Sequence, residues 1–549
     1  MLIKMKKYLF LFFLLFSIQN LIYSQSTWEN NNATVYPYLS RMAQKGLIEF
    51  NDLIKPQTRI SIQNALIQLK EKQSLLTTIE VIELDYHLKE YKNDYSENIL
   101  NKPSILKRDE NDRWRSIHLN SKDLLLNIDP LFGIKSMSYG KRSIKQVSNG
   151  FQMWGSIGNK KNWGYQVFYR DYTETGDVLN YDRINNNENG VIILGENDKN
   201  SRNYSELRAN ITYSFKKGLI SFGKDHITWG YGENGKLILS DKSPSFPFIR
   251  LDYSPIKWLN FNYFNAWLNS NIIDSNLTYN TNTNGVMGDI RYFYKSKYLA
   301  SHSIIINPIK GLTFALGESV IYSDRMDIGF LLPINFFKIY DNNRSNYLIN
   351  AGSNGQYFLQ VNSRNHIKNT HLYGSLFIDE IKVSAILDKK ESRNQLGYTI
   401  GGSITDLVVN YLNIGAEYTR VNPFVYSNLI PAQFYTNYDY QLGDWMGNNF
   451  DRYLIFAKYT PYPRLNIYTR FQNIRKGGAG TIFQQYLVQP LPEFLFDYQK
   501  NVKSYFIQIS YEFLNHIYFL TNFEKLVEKN SKDKIKTNRF QIGLSLGLN

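Results

Sequence analysis

From about residue 120 onward, apolar and polar positions alternate along the chain with a period of two. The segment GFQMWGSIG sets Phe151, Met153 and Ile157 against Gln152, Trp154 and Ser156, and WGYQVFYRDYT sets Trp163, Tyr165, Val167 and Tyr169 against Gly164, Gln166 and Phe168. LRANITYSF carries Leu207, Ala209, Ile211, Tyr213 and Phe215 on one side. The chain ends RFQIGLSLGLN, with Phe540, Ile542, Leu544, Leu546 and Leu548 opposite Gln541, Gly543, Ser545 and Gly547. Successive strand residues point to opposite faces, so each segment predicts a β-strand with two unlike sides. Turns as short as KKG separate some strands, whereas Asn/Asp/Ser/Gly-rich stretches at 173–203, 269–290, 340–356 and 474–500 separate others. Short turns at one end and long loops at the other are the pattern of a membrane β-barrel.

Residues 34–98 follow a different period. VYPYLSRMAQKG predicts a short helix stopped by Gly46. Thr58 is placed to cap a second helix carrying Ile60, Ile62, Ala65, Leu66 and Leu69. Thr77 and Glu80 have capping-box spacing ahead of Ile82, Leu84, Tyr86 and Leu88. A small helical module over 34–98 is expected. Before it, Lys4, Lys6 and Lys7 precede the apolar run YLFLFFLLFSI and the polar exit IYSQS. That order predicts a secretory signal peptide over residues 1–25, cleaved near Ser24–Ser26.

Composition narrows the fold class. The mean hydropathy is −0.39, and no second apolar run approaches the ~20 residues of a membrane helix. Yet 42 Tyr, 34 Phe and 8 Trp make up 15% of the chain. The fold expected is all-β: a large antiparallel transmembrane barrel over 120–549, of about 16–20 strands at roughly 22–26 residues per strand and connection. The C-terminal strand closes it and turns Phe540–Leu548 toward lipid. The absence of cysteine excludes disulfides, thiolate metal sites and cysteine nucleophiles. A net charge of +15 suits an anionic partner. Export makes nucleic acid the poorest candidate and leaves lipopolysaccharide and acidic polysaccharide.

Little in the chain suggests enzyme chemistry. The seven histidines form no H-x-x-x-H or H-E-x-x-H pattern, and no G-x-S-x-G or phosphate-cradling loop is present. Asp379 and Glu380 are adjacent on a strand, so their side chains diverge and cannot clasp one glycosidic bond. No catalytic residue, metal site or cofactor is expected. The distinctive stretch is FGKDHITWGYGENGK, with Arg250 shortly after. Trp229 could stack on a sugar ring while Asp225, Asn234 and Arg250 bind hydroxyls or carboxylates. Gly230 and Gly232 would let the backbone approach a ligand. A tight inter-strand corner uses the same residues equally well.

The segment GKDHITWGYGENGKLILSDKSPSFPFIRLDYSPIKWLNFNYFNAWL resembles the signature of the capsule assembly Wzi family. YPYLSRMAQKGLI, NGFQMWGSIG, HLYGSLFIDEI and YDYQLGDWMGNN match in order over nearly the whole chain. Where the family's late motif often reads GHxxGPN, this chain has Gly443-Asp444-Trp445-Met446-Gly447-Asn448-Asn449. The resemblance implies a barrel of about 18 strands in the outer membrane of a Gram-negative bacterium, with a periplasmic helical bundle. It also implies a lectin-like role attaching exported capsular polysaccharide to the cell surface without catalysis; outer-membrane lipid, lipopolysaccharide and the export machinery are further candidate partners, and the sequence does not show contact with an export channel. Trp445 and Asn448 join Asp225, Trp229 and Arg250 as polysaccharide-binding candidates. A diffusion porin is the alternative expectation.

Overall fold

A computed structural model describes residues 27–547, apart from 92–103, 110, 159–160, 194–199, 283–284, 286–287, 346–351, 382–383, 385–387 and 389–392. The expected signal peptide and Leu548 lie outside the described residues. Eighteen antiparallel strands form one closed barrel. They are β1 Leu124–Tyr139, β2 Arg142–Ile157, β3 Trp163–Gly176, β4 Ser201–Phe215, β5 Gly218–Asp225 and β6 Phe246–Ile256. Next come β7 Leu259–Ile273, β8 Tyr294–Ile309, β9 Leu312–Ser323, β10 Asn354–Arg364, β11 Thr370–Glu380 and β12 Gln395–Thr405. The wall ends with β13 Leu412–Val421, β14 Phe450–Tyr462, β15 Leu465–Lys476, β16 Lys500–Leu514, β17 Ile517–Lys529 and β18 Lys534–Leu546. Closure is the pairing of β18 with β1, from Arg539↔Tyr139 to Leu546↔Phe132. A hairpin of Ser104–Arg108 and Trp114–Asn120 continues the sheet along the same edge of β1.

The alternation read from the sequence becomes the two faces of this wall. Val147, Ile134 and Leu544 sit side by side across β2, β1 and β18, each about half exposed. The residues between them, such as Gln146 and Lys135, face the lumen. An apolar exterior of this kind is a lipid-facing belt, and no described helix is long and apolar enough to span a membrane. All connections at one end are short, including 216–217, 257–258, 310–311, 463–464 and 515–516. At the other end are the long loops 177–200, 226–245, 274–293, 324–353, 422–449 and 477–499.

Three helices cover the short-turn end: α1 Val35–Gln44, α2 Arg59–Lys70 and α3 Thr78–Tyr91. Their ends are fixed by local chemistry. Gly46, at φ +72°, lets Leu47 N donate to Met42 O (3.1 Å) and its own N donate to Ala43 O (2.9 Å), a Schellman stop. Thr58 Oγ1 accepts from Ser61 N (3.3 Å), while Thr77 N donates to Glu80 Oε2 (2.8 Å) and Glu80 N to Thr77 Oγ1 (3.4 Å). Leu39, Met42, Ile62, Leu66, Leu69 and Leu84 form the module's own core. It docks on turns around the rim: Arg41 pairs with Asp406 (2.5 Å), Gln44 donates to Asn369 O (3.0 Å), and Tyr86 donates to Glu512.

The chain between α1 and α2 enters the barrel and meets loop 226–245, which folds inward from the opposite end. Ile54 and Lys55 pair antiparallel with Trp229 and Thr228, and Gly230 N donates to Leu53 O (2.8 Å). Around this junction Ile227, Trp229, Leu237, Leu239, Phe248, Phe264, Phe358 and Phe377 form a hydrophobic core inside the lumen.

One contact of the module is set to respond to pH. Glu83 on α3 is buried against Glu512 and accepts a hydrogen bond from Arg464 N. Burial, reinforced by Glu512, outweighs that bond and raises its pKa from 4.5 to about 7. The neighbouring His87 is pushed down to about 3 by burial, then by Arg113, and stays neutral. A carboxyl raised in the folded state binds its proton more tightly there than in the free module, so docking is favoured at low pH. That contribution is lost as pH rises from about 4.5 through about 7. Hydrogen exchange in α3, corrected for intrinsic rates, should therefore be faster at pH 8 than at pH 5, and Glu83→Gln should remove the difference.

Candidate functional site

The lumen is divided. The β6–β11 side is filled by the aromatic core, whereas the β1 and β15–β18 side holds a cavity of about 790 Å³. Loops 177–200, 226–245 and 422–449 contribute Asn187, Asn234 and Trp445 to its lining, and β15 and β17 contribute Tyr468, Arg470 and Glu524. A second cavity of about 440 Å³ adjoins it, sharing Glu188, Gln508 and Gln541 and adding Arg183, Arg208 and His226.

The lining is held by a bonded network. Trp445 Nε1 donates to Asn234 O (2.8 Å), which sets the half-buried indole against the cavity. Asn234 Nδ2 donates to Gln472 Oε1 (2.6 Å), and Asn234 Oδ1 accepts from Arg470 Nη1 (2.5 Å) and from Asn187. Glu524 lies between Arg470 (3.7 Å) and Arg539 (3.5 Å). In loop 177–200, burial raises Glu188, but Arg183 and Lys135 overcome it, leaving the carboxyl below its usual range. The result is an aromatic face beside amides, guanidinium groups and carboxylates. Such a surface can stack on a pyranose ring and hydrogen-bond its hydroxyls. Among the described residues no cluster of acidic and imidazole side chains could hold a metal ion.

The residues singled out in the sequence lie in different places. Trp229 is 1% exposed, with its ring 5.2 Å from Phe358 and 5.9 Å from Phe264. It is a core residue where the inserted segment 45–58, the plug, meets loop 226–245, and offers no open face for stacking. Gly230 occupies the left-handed region at φ +104°, and a Cβ there would stand 2.6 Å from Gln360 Nε2. A Cβ on Gly232 would stand 1.9 Å from Gly235 O. Both glycines make room for protein, so the inter-strand-corner reading of this stretch fits the structure better than the ligand reading. Asp225 is buried, accepting from Asn210 Nδ2 (2.9 Å) and His226 N (2.8 Å). Arg250 is bound to Asp252 (2.8 Å), donates to Pro56 O (3.3 Å) and lies 4.2 Å over the Trp28 ring, so it anchors the N-terminal segment. Asn448 donates to Ala479 O (3.2 Å), tying two long loops together. Of the group, Trp445 and Asn234 line the cavity. Asp379 and Glu380 take separate partners, Tyr426 N (2.7 Å) and Arg393 (3.1 Å).

Arg470, Tyr468, Gln472 and Asn187 were not identified from the sequence. For the first three the signal was the polar face of LNIYTRFQN, where Tyr468, Arg470 and Gln472 occupy every second position opposite Ile467 and Phe471; Asn187, in an Asn-rich loop, had none.

No protein-family model and no curated protein sequence matches the chain. Among solved structures it has the fold of Wzi, an outer-membrane protein involved in group 1 capsule assembly in Escherichia coli and described as a carbohydrate-binding β-barrel. The two share 13% identity over 96% of this chain and 100% of that one, with a TM-score of 0.60. OprD and OprE of Pseudomonas aeruginosa, both 12% identical, align over 77% of this chain and 93% and 98% of theirs. Their TM-scores of 0.43 and 0.42 are too low to bear on function.

The two tryptophans should separate cleanly. Trp229→Ala leaves a cavity in the lumen core and should cost about 3–5 kcal/mol, seen as loss of heat-modifiable migration at a lower temperature. Trp445→Ala should leave that melting behaviour unchanged.

Proposed function

We propose that the chain is a non-enzymatic, lectin-like outer-membrane barrel that holds exported capsular or other surface polysaccharide at the cell surface. The short-turn end, with its helical module, faces the periplasm, as short turns do in bacterial outer-membrane barrels. The cavity side then opens among the outer loops, where exported polymer arrives from the export machinery. The observation that carries this reading is the network joining Trp445, Asn234 and Arg470: an indole face fixed beside amide and guanidinium groups in one cavity. The fold shared with a carbohydrate-binding barrel supports it. The cavity mixes Arg470, Lys500 and Arg539 with Glu524 and Glu528, a balance suited to a hydroxyl-rich chain carrying occasional acidic groups. A single stacked ring contributes on the order of 1 kcal/mol, and a repeating polymer multiplies weak contacts into firm retention. A diffusion porin would need an unobstructed lumen, which Ile54, Lys55 and loop 226–245 cross.

Trp445→Ala and Arg470→Gln should each weaken binding of purified barrel to surface polysaccharide several-fold, and should release polymer into the medium of cells carrying them. Normal assembly of both variants with undiminished binding and retention would show that the cavity is not the glycan site.

A further inference from the structure

The first part of loop 324–353, through Ser345, folds down the outside of the wall. Along β9, Phe314 and Leu316 are 40% and 62% exposed and belong to the lipid-facing belt. Glu318, Val320 and Tyr322 continue the same face at alternate positions. Across the strands Glu318 is level with His302 and with Tyr357, which is 42% exposed. A carboxylate on this face would meet lipid, where an ionised group is costly. Instead Glu318 is 6% exposed, covered by two short helices, α4 Ile328–Leu331 and α5 Phe337–Ser345.

The cover is specific. The backbone N–H groups of Phe337 and Lys338, at the positive end of α5, donate to Glu318 Oε1 (2.7 Å) and Oε2 (3.4 Å). His302 Nε2 lies 3.1 Å from the same carboxylate, and the Phe337 ring lies 4.4 Å from the imidazole. Tyr263 donates to Phe330 O (3.0 Å), and Phe330 packs on Tyr322 at 4.6 Å. Phe330 and Phe337 are fully buried against the outer wall.

The other side of this cover is bare and apolar. Ile328 is 76% exposed, Leu332 53%, Ile334 85%, Phe336 67% and Ile339 60%. Between residues 328 and 339 only Lys338 is charged. Such a patch is unfavourable in water. It sits directly above Phe314 and Leu316, continuous with the belt and one layer farther from the barrel axis. We infer that residues 328–339 are a membrane-seated cover: they contact the acyl chains of the outer leaflet and shield the Glu318–His302 pair from lipid.

The absence of cysteine makes single-cysteine labelling straightforward. Ile334→Cys and Ile339→Cys, labelled with bimane, would be reconstituted in phosphatidylcholine vesicles with and without brominated acyl chains. Leu316→Cys in the belt and Lys532→Cys in an outer turn serve as the lipid and water references. Bromolipid should quench both loop positions at least two-fold, as at 316, with iodide quenching well below that at 532. Iodide quenching equal to that at 532 would place the loop in water and overturn the inference. Protection from both quenchers would overturn it in favour of a covering protein or a second copy.

Discussion

The arrangement of the lumen depends on Asp52. This buried carboxylate sits where three parts of the molecule meet. It receives Arg364 Nη2 from the barrel wall (2.6 Å) and the Tyr231 hydroxyl from the inward loop (3.0 Å), while belonging to the segment between α1 and α2. Arg364 also donates to Phe50 O (2.6 Å) and Ser40 Oγ (3.2 Å). Burial would raise Asp52, but Arg364 and Lys55 outweigh it and keep the group ionised well below the usual carboxylate range. Breaking such a pair strands a buried charge at a cost of about 3–5 kcal/mol. The short ladder from Ile54 to Trp229 is too small to hold a plug and a loop together by itself. The ion pair and the aromatic core around Trp229 make the junction rigid.

From that junction follow the two halves of the interior. On one side the loop and plug pack their apolar residues against β6–β11 and fill the lumen. On the other, the inward loop meets the polar face of β15 at Asn234 but leaves a space against β15–β17 that remains a cavity. We propose that closure at the short-turn end and access at the long-loop end make this space a blind recess rather than a passage. Asn234, from the same inward loop, positions Trp445 and Arg470 at once, so the segment that enters the lumen also shapes the recess.

The wall and the module were legible from local pattern, because strand alternation and helix caps are short-range chemistry. Thr58, Gly46 and the Thr77–Glu80 pair each act within a few residues of themselves. Loop placement was not legible. The glycine-rich stretch around Trp229 has the composition of a sugar site, and only its contacts with Ile54, Phe264 and Phe358, distant in sequence, show it to be core. The loop expected at 340–356 begins earlier, at residue 324, and the apolar residues of 328–339 lie in and between two short helices over the outside of the wall. Trp445 was noticed for its motif and Asn234 for the composition around it, but they stand 211 residues apart, and Arg470, which bonds Asn234, lies 25 residues after Trp445. No periodicity connects them.

The central claim, that the module and the inward loop close the lumen into a recess, is tested most directly by single-channel recording in planar bilayers. The intact protein should show no steady conductance, and Arg364→Ala, which strands Asp52, should introduce openings. A large, steady open pore in the intact protein would contradict the account.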